Sequence, residues 1–127
     1  HRQGRLPEAE AHYRHALRVY QEGSHLGGEG YILGKLGLLE MLSGASEAGL
    51  ARVKRGETLL RDLNNLQGLA ELLCSLAHAE HLAHHADAAG AALREAQQIA
   101  DDLNVAPDAS LARHIAEVQA ILTETPS

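Results

Sequence analysis

The chain has 127 residues and a formal net charge of −6, and 45% of its residues are hydrophobic although Phe and Trp are absent. This acidic, aromatic-poor composition argues against nucleic-acid binding and against a β-sheet, which favours β-branched and aromatic side chains. No apolar run approaches the roughly 18 residues that a membrane span requires. A single cysteine, Cys74, excludes an internal disulfide and favours a cytoplasmic location.

Six helices are predicted in chain order. The first runs from Leu6 to Gln21, with Pro7 in its first turn after the loop residue Gly4. The last has Asp108 as its N-cap and ends before the tail at 123–127. Between them, segments rich in Gly, Ser and Asn separate four apolar stretches at 26–42, 46–63, 66–83 and 86–103.

The chain repeats itself every forty residues. Residues 26–65 and 66–105 are identical at eleven of forty aligned positions without a gap, and such a period indicates stacked structural repeats. We therefore expect a single helical repeat domain over residues 1–127, cut from a longer chain. Its parts are the second helix of a truncated repeat, two full repeats, and a capping helix with its tail, at 4–25, 26–65, 66–105 and 106–127.

Glycine is unusually common in the first full repeat, inside segments that are predicted to be helical. Because an interior glycine weakens a helix by up to about 1 kcal/mol relative to alanine, this hairpin is expected to be the softest unit. Close approach of neighbouring helices is the predicted reason for these glycines, which are Gly30, Gly34, Gly37, Gly49 and Gly56.

The phrase Leu36-Gly37-x-x-Glu40-x-x-x-Gly44-x-x-x-x-Gly49-x-x-x-Val53-x-x-Gly56 resembles the tetratricopeptide repeat. The chain departs from that family in having Glu40 and Glu80 where tyrosine is usual, and in a period of forty. Longer repeats of this kind are similar to helical arrays in large bacterial regulators. The resemblance implies an all-α, right-handed superhelix of stacked antiparallel hairpins, about two and a half repeats plus the capping helix, whose first helices line a concave groove.

The same resemblance assigns groove positions in each first helix. They carry an apolar set and a His/Cys set, namely Tyr31, Leu38, Met41, Leu42, Glu71, Cys74, His78, His81 and His114. Packing against adjacent helices is an equally weighted alternative for the apolar members. No lysine or arginine falls at a matched position, so a basic clamp for an acidic peptide terminus is not expected.

Four side chains with metal-ligating chemistry are spaced one helical turn apart at Cys74, His78, His81 and His85, with His114 at the equivalent position of the last helix. The spacing lacks the His-Glu-x-x-His pattern, and we expect neither a metal nor another cofactor. A pH-sensitive groove is favoured instead, because mutual repulsion would depress the pKa values of these histidines and make the fold less stable in acid.

Catalytic interpretations have little support in the sequence. Glu40 and Glu80 occupy one position of successive repeats, so a repeated structural contact is predicted, to a helix terminus or to Arg52 or Arg94. A serine nucleophile at Ser75 or Ser110 would need an oriented base and an oxyanion site that the sequence does not indicate. The chain is therefore predicted not to be an enzyme.

Three functions remain as hypotheses. The first is a protein–protein interaction scaffold that binds a peptide or partner domain in the groove. The alternative is a ligand-sensing or inter-domain segment of a multidomain bacterial transcriptional regulator or signalling protein. The third is self-association, since the first helix lacks a hairpin partner and its Leu6, Ala9, Tyr13 and Leu17 offer an apolar face to another copy.

Overall fold

A computed structural model describes the backbone of residues 2–124 and the side chains of residues 6–124. Within this part the chain forms six α-helices and no strand, which confirms the all-α prediction. The helices are α1 (Arg2–Glu22), α2 (Leu26–Leu42), α3 (Ser46–Asp62), α4 (Leu66–Leu82), α5 (Ala86–Asp102) and α6 (Ser110–Thr123). None of these helices has the length and apolar character that a membrane crossing needs.

The predicted boundaries of α2 to α5 are confirmed to within one residue, whereas those of the terminal helices differ more. Helix α1 begins at Arg2, so Gly4 is helical and Pro7 lies inside the helix instead of in its first turn. Helix α6 is preceded by Ala109, which makes no side-chain cap, so the predicted cap at Asp108 is wrong. The predicted tail beyond Glu124 lies outside the described residues.

The first five helices end in the same kind of turn. One residue of each turn has a left-handed backbone: Ser24, Gly44, Asn64, His84 and Asn104, with φ between 55° and 106°. The amide that follows donates to a carbonyl five residues back, as in the bond from Ala45 to Glu40 at 2.8 Å. This Schellman bond satisfies a carbonyl that the helix end would leave free. The same turn recurs at a regular interval, and α3, α4 and α5 each begin twenty residues after the start of the helix before.

Replacing His84 with glycine is expected to raise the free energy of unfolding by up to about 1 kcal/mol, because a side chain with a Cβ is strained in the left-handed region. Gly44 occupies the equivalent position one repeat earlier, with φ 106° against 65° for His84. The control is Ala83→Gly, since Ala83 has an ordinary φ of −85° and glycine should weaken the chain there. Chemical denaturation followed by circular dichroism measures both; equal effects of the two changes would contradict the strain argument.

The prediction of close helix packing is confirmed at the glycines of α2 and α3. A Cβ built on Gly37 would lie 2.5 Å from the carbonyl oxygen of Gly49, and one built on Gly56 would lie 2.7 Å from that of Gly30. Such distances leave no room for a methyl group between the two backbones. In the next hairpin the equivalent positions are all alanine, at 70, 77, 89 and 96.

Helices α2, α4 and α6 pack side by side, since α2 contacts α4 and α4 contacts α6. Each of α1, α3 and α5 packs against the helix that follows it, and α3 and α5 also pack against the helix before them. The largest core cluster is built around α4, where Leu72, Leu73 and Cys74 are at most 1% exposed. This arrangement makes the row α2, α4, α6 one layer of the molecule, to which the predicted groove residues belong.

Glu40 and Glu80 are buried and take part in structural contacts, as predicted. Nε of Arg52 donates to Oε1 of Glu40 at 2.7 Å, which confirms one of the two expected partners. Glu80 instead contacts Nδ1 of His85 at 2.7 Å and Nζ of Lys54 at 3.8 Å, so the expected partner Arg94 is wrong.

A second cation approaches Glu40 from α1, where Nη2 of Arg14 lies 2.8 Å from Oε2. Arg14 and Lys54 are forty residues apart, as are Glu40 and Glu80. A basic residue from one second helix therefore reaches the glutamate of the next first helix in both cases. These contacts hold successive helices in register in addition to apolar packing.

Candidate functional site

Seven of the nine predicted groove residues are exposed or half-buried, and two are buried. Tyr31 and Leu42 are 38% and 40% exposed, whereas Met41 and Cys74 are 7% and 0% exposed. Met41 points toward α3, since a Cβ on Gly49 would lie 2.6 Å from its Cγ. Met41 and Cys74 are core residues here and offer no surface to a partner, which corrects their assignment to the groove.

The Cys/His series of α4 does not converge on one point. Helix α4 ends at Leu82, so His85 lies beyond the helical stripe and bonds to Glu80. Burial raises the pKa of the Cys74 thiol to about 12, with a further contribution from the charge of Glu71, so the thiol stays protonated. Within residues 6–124 no three His, Cys, Asp or Glu side chains are placed to hold a metal ion.

His78 is a histidine of this series whose pKa is clearly shifted. Burial lowers the pKa of His78 below that of an ordinary histidine, and the nearby His81 and His114 lower it further. The direction agrees with the sequence-based prediction, but the largest cause is loss of hydration and not mutual repulsion. An unfolded chain would bind a proton at His78 more readily than the folded chain does.

The free energy of unfolding is therefore expected to decrease as the pH falls from about 7.5 to about 5.5, through the ordinary range of histidine titration. Replacing His78 with glutamine should reduce this decrease, because the contribution from a depressed pKa is then removed. Thermal or urea unfolding at several pH values measures this decrease in the parent and in the variant. His15→Gln is the control, since it removes an exposed histidine of α1; parallel profiles for parent and His78→Gln would refute the assignment.

A charged pocket of about 280 Å³ lies where α2, α4 and α6 come together. Its lining residues are Tyr31, Lys35, Glu71, Ser110, Arg113, His114 and Glu117. Helix α2 contributes the aromatic ring and the ammonium group, with Nζ of Lys35 5.5 Å from the ring centroid of Tyr31. That distance allows a cation–π attraction, which keeps the two side chains beside each other.

Two pocket residues bond across helices. Nδ1 of His114 on α6 lies 3.1 Å from Oε1 of Glu71 on α4, and both side chains are less than one-fifth exposed. An ionised carboxylate only accepts hydrogen bonds, so Nδ1 carries the hydrogen and donates it to Glu71. Burial and the charge of Glu71 raise the pKa of Tyr31, so its phenol remains neutral and able to donate.

The basic side chains of this pocket were missed by sequence reasoning. No cation was expected on the groove, yet Lys35 and Arg113 both line the pocket. Each is one position away from a family groove position, and a long side chain reaches past its own position on the helix. The sequence showed the charges of Arg113 and Glu117 on the last helix but gave no sign of the cavity that they line.

The two serines weighed as nucleophiles are placed differently. Ser75 is 1% exposed, and its Oγ has no hydrogen-bond partner among the described residues. Ser110 begins α6 and lines the charged pocket. Ser75 is thus a buried hydroxyl without a base to activate it.

Comparison of the chain with protein-family models, with curated proteins and with solved structures gave no match. The likeness to tetratricopeptide repeats therefore stays a prediction from the residues of the chain.

Proposed function

We propose that the chain is a non-catalytic scaffold that binds a peptide or partner domain along the row of α2, α4 and α6. In this proposal the hairpins stack as a right-handed superhelix like that of tetratricopeptide repeats, and the row is its concave side. The observation that carries it is that three helices, alternate in sequence, lie side by side and leave large side chains such as Tyr31 and Leu42 accessible, with a charged pocket beside Tyr31.

The accessible side chains suit a peptide because they combine apolar contact with polar specificity. Tyr31 is exposed, and tyrosine is enriched among the residues that dominate binding energies. His81 and His114 retain partial exposure and bring hydrogen-bonding groups from α4 and α6. A bound segment would then be held by an apolar anchor on α2 and oriented by polar groups on its neighbours.

The test is selection of peptides from a displayed library by the parent chain, followed by affinity measurements on variants. Tyr31→Ala/Leu42→Ala should weaken the selected peptides at least about tenfold, as expected for loss of an aromatic anchor. The matched control is Leu63→Ala/Leu103→Ala, which removes two leucines of similar exposure, 39% and 41%, from outside the row.

Circular dichroism spectra should stay helical in both variants, because all four residues keep a large exposed fraction. Loss of affinity confined to the Tyr31/Leu42 variant supports the proposal. Unchanged affinity in that variant, or an equal loss in the control, would place the binding surface elsewhere and end the proposal for this row.

The charged pocket favours recognition of a small ligand as a second candidate. Its volume of about 280 Å³ is close to the lower end of the range for small-molecule sites. Its lining residues belong to the helices of the row, so a ligand there would also change the surface that a partner meets. A ligand-sensing role would place ligand binding and partner binding on the same layer of helices.

A further inference from the structure

We propose that the charged pocket binds a dipolar ligand of amino-acid size, one that carries a carboxylate and an ammonium group close together. The proposal rests on the small-ligand candidate above and does not depend on partner binding. Two cations, Lys35 and Arg113, and two carboxylates, Glu71 and Glu117, line the same cavity. The formal charge of this lining is zero while His114 is neutral, yet the charges come from three different helices.

Three of these four charges are available to a ligand. The ion pairs formed among residues 6–124 include none that involves Lys35, Arg113 or Glu117. Arg113 and Glu117 have the i, i+4 spacing that commonly gives an intrahelical ion pair, but their charged groups are more than 4 Å apart. Unpaired charges of both signs facing one cavity complement a ligand that also carries both signs.

The fourth charge is held in position. Glu71 is tied to His114, which fixes its carboxylate at the junction of α4 and α6. A ligand ammonium group approaching Glu71 or Glu117 would leave its carboxylate to Lys35 or Arg113. The ring of Tyr31 supplies an apolar wall against the carbon skeleton.

The mixture of signs also excludes simpler ligands. A purely anionic ligand would gain from the two cations and be repelled by the two carboxylates, and a purely cationic ligand would meet the reverse. The volume of about 280 Å³ is smaller than most sites for drug-sized molecules. A free amino acid meets both conditions, and so does a peptide segment with adjacent Lys and Glu side chains.

The experiment is an NMR titration of the isotope-labelled 127-residue chain. The first arm adds each free L-amino acid, and for the strongest one also its N-acetyl form and its carboxamide. The second arm adds N-acetylated, carboxamide-terminated peptides that contain Lys-Glu or Glu-Lys. Saturable shifts are expected at the amides of residues 110–117, and removal of either charge from the ligand should weaken binding by at least about tenfold.

Variants locate the site without disturbing the fold. Arg113→Gln and Glu117→Gln should each weaken the best ligand about tenfold, since both side chains are exposed and each would lose one charge-assisted contact. Arg55→Gln and Glu47→Gln remove exposed charges of the same signs from α3 and should change nothing. Which arm gives binding identifies the source as a free amino acid or a peptide.

Three results would overturn the proposal: no shift at residues 110–117 with any probe at about 10 mM, the weak end of useful affinity, equal binding of charge-blocked forms, or equal loss in the α3 controls. Peptides selected in the scaffold experiment would still bind the row if only the dipolar site fails. If the peptide selection fails, the NMR titration with free amino acids would still test the dipolar site.

Discussion

Gly37→Ala is expected to lower the free energy of unfolding by about 3 kcal/mol, the upper part of the range for overpacked sites. The added methyl would lie 2.5 Å from the carbonyl oxygen of Gly49 and 2.6 Å from Cγ2 of Val53. One of these atoms belongs to backbone and the other to a side chain that is 0% exposed, so neither can move aside cheaply. Helices α2 and α3 would have to separate along their length.

The matched control is Gly90→Ala in α5. Gly90 is also interior to a helix, but the nearest atom to its added methyl is Nη1 of Arg94 at 3.2 Å, the end of a flexible side chain. Alanine should therefore stabilise the chain there by about 0.5–1 kcal/mol through its higher helix propensity. Denaturant titrations followed by circular dichroism measure both changes. Stabilisation by Gly37→Ala as well would show that helix propensity, and not close approach, governs Gly37.

The predicted and observed structures agree where local sequence determines the outcome. Breaks such as Asn64-Asn65 carry their own turn chemistry, because asparagine tolerates the left-handed backbone and its side chain can cap the next helix. Oδ1 of Asn65 does accept from the amide of Gly68 at 3.0 Å. The forty-residue repeat also helps, since a helix boundary identified in one repeat predicts a boundary forty residues away. Helix positions were predictable for that reason.

The sequence-based predictions fail where the burial of a residue depends on which helices pack against it. Cys74 and His114 are forty residues apart, yet Cys74 is fully buried while His114 keeps part of its surface. The difference arises because α4 has helices packed on both sides in the row, and α6 has only α4. A repeat register assigns both residues the same position and carries no information about which neighbours are present.

The set of residues that line the charged pocket also depends on how helices distant in the sequence pack together. Helix α6 begins at Ser110, four residues later than a twenty-residue spacing from α5 would place it. Position along the chain alone does not show that Arg113 and Glu117 line one cavity with Tyr31 and Lys35 of α2. Their charges were visible in the sequence, but the cavity that brings them together is a property of three helices packed in space.

Glu40→Ala is expected to lower the free energy of unfolding by about 2–3 kcal/mol, the scale of losing hydrogen bonds to charged groups. The buried carboxylate accepts from Nε and Nη2 of Arg52 at 2.7 and 3.2 Å and from Nη2 of Arg14 at 2.8 Å. It thereby joins α1, α2 and α3 at one point. The side chains of Arg52 and Arg14 are 24% and 44% exposed, so water can solvate them after Glu40 is removed. The loss of stability should therefore stay below that caused by leaving a fully buried charge without a partner.

Glu80→Ala is the matched comparison and is expected to cost only about 1 kcal/mol, because its contacts are fewer. Lys54 lies 3.8 Å away, beyond hydrogen-bond distance, and His85 is largely exposed. Urea denaturation of the two variants measures the difference. Equal losses would mean that burial of a glutamate at this repeat position, and not its arginine partners, sets the effect.

The two variants should also differ in where the chain loosens. Among the described helices α1 contacts α2 alone, so the Arg14–Glu40 pair is one of few polar ties that hold it. Glu40→Ala should let α1 open before the rest, which hydrogen exchange would report as faster exchange of its amides at pH 7. Glu80 lies in α4, enclosed by neighbours on several sides, so its loss should leave α1 protection unchanged. Uniform acceleration across all helices in the Glu40 variant would instead show that α1 unfolds only together with the whole stack.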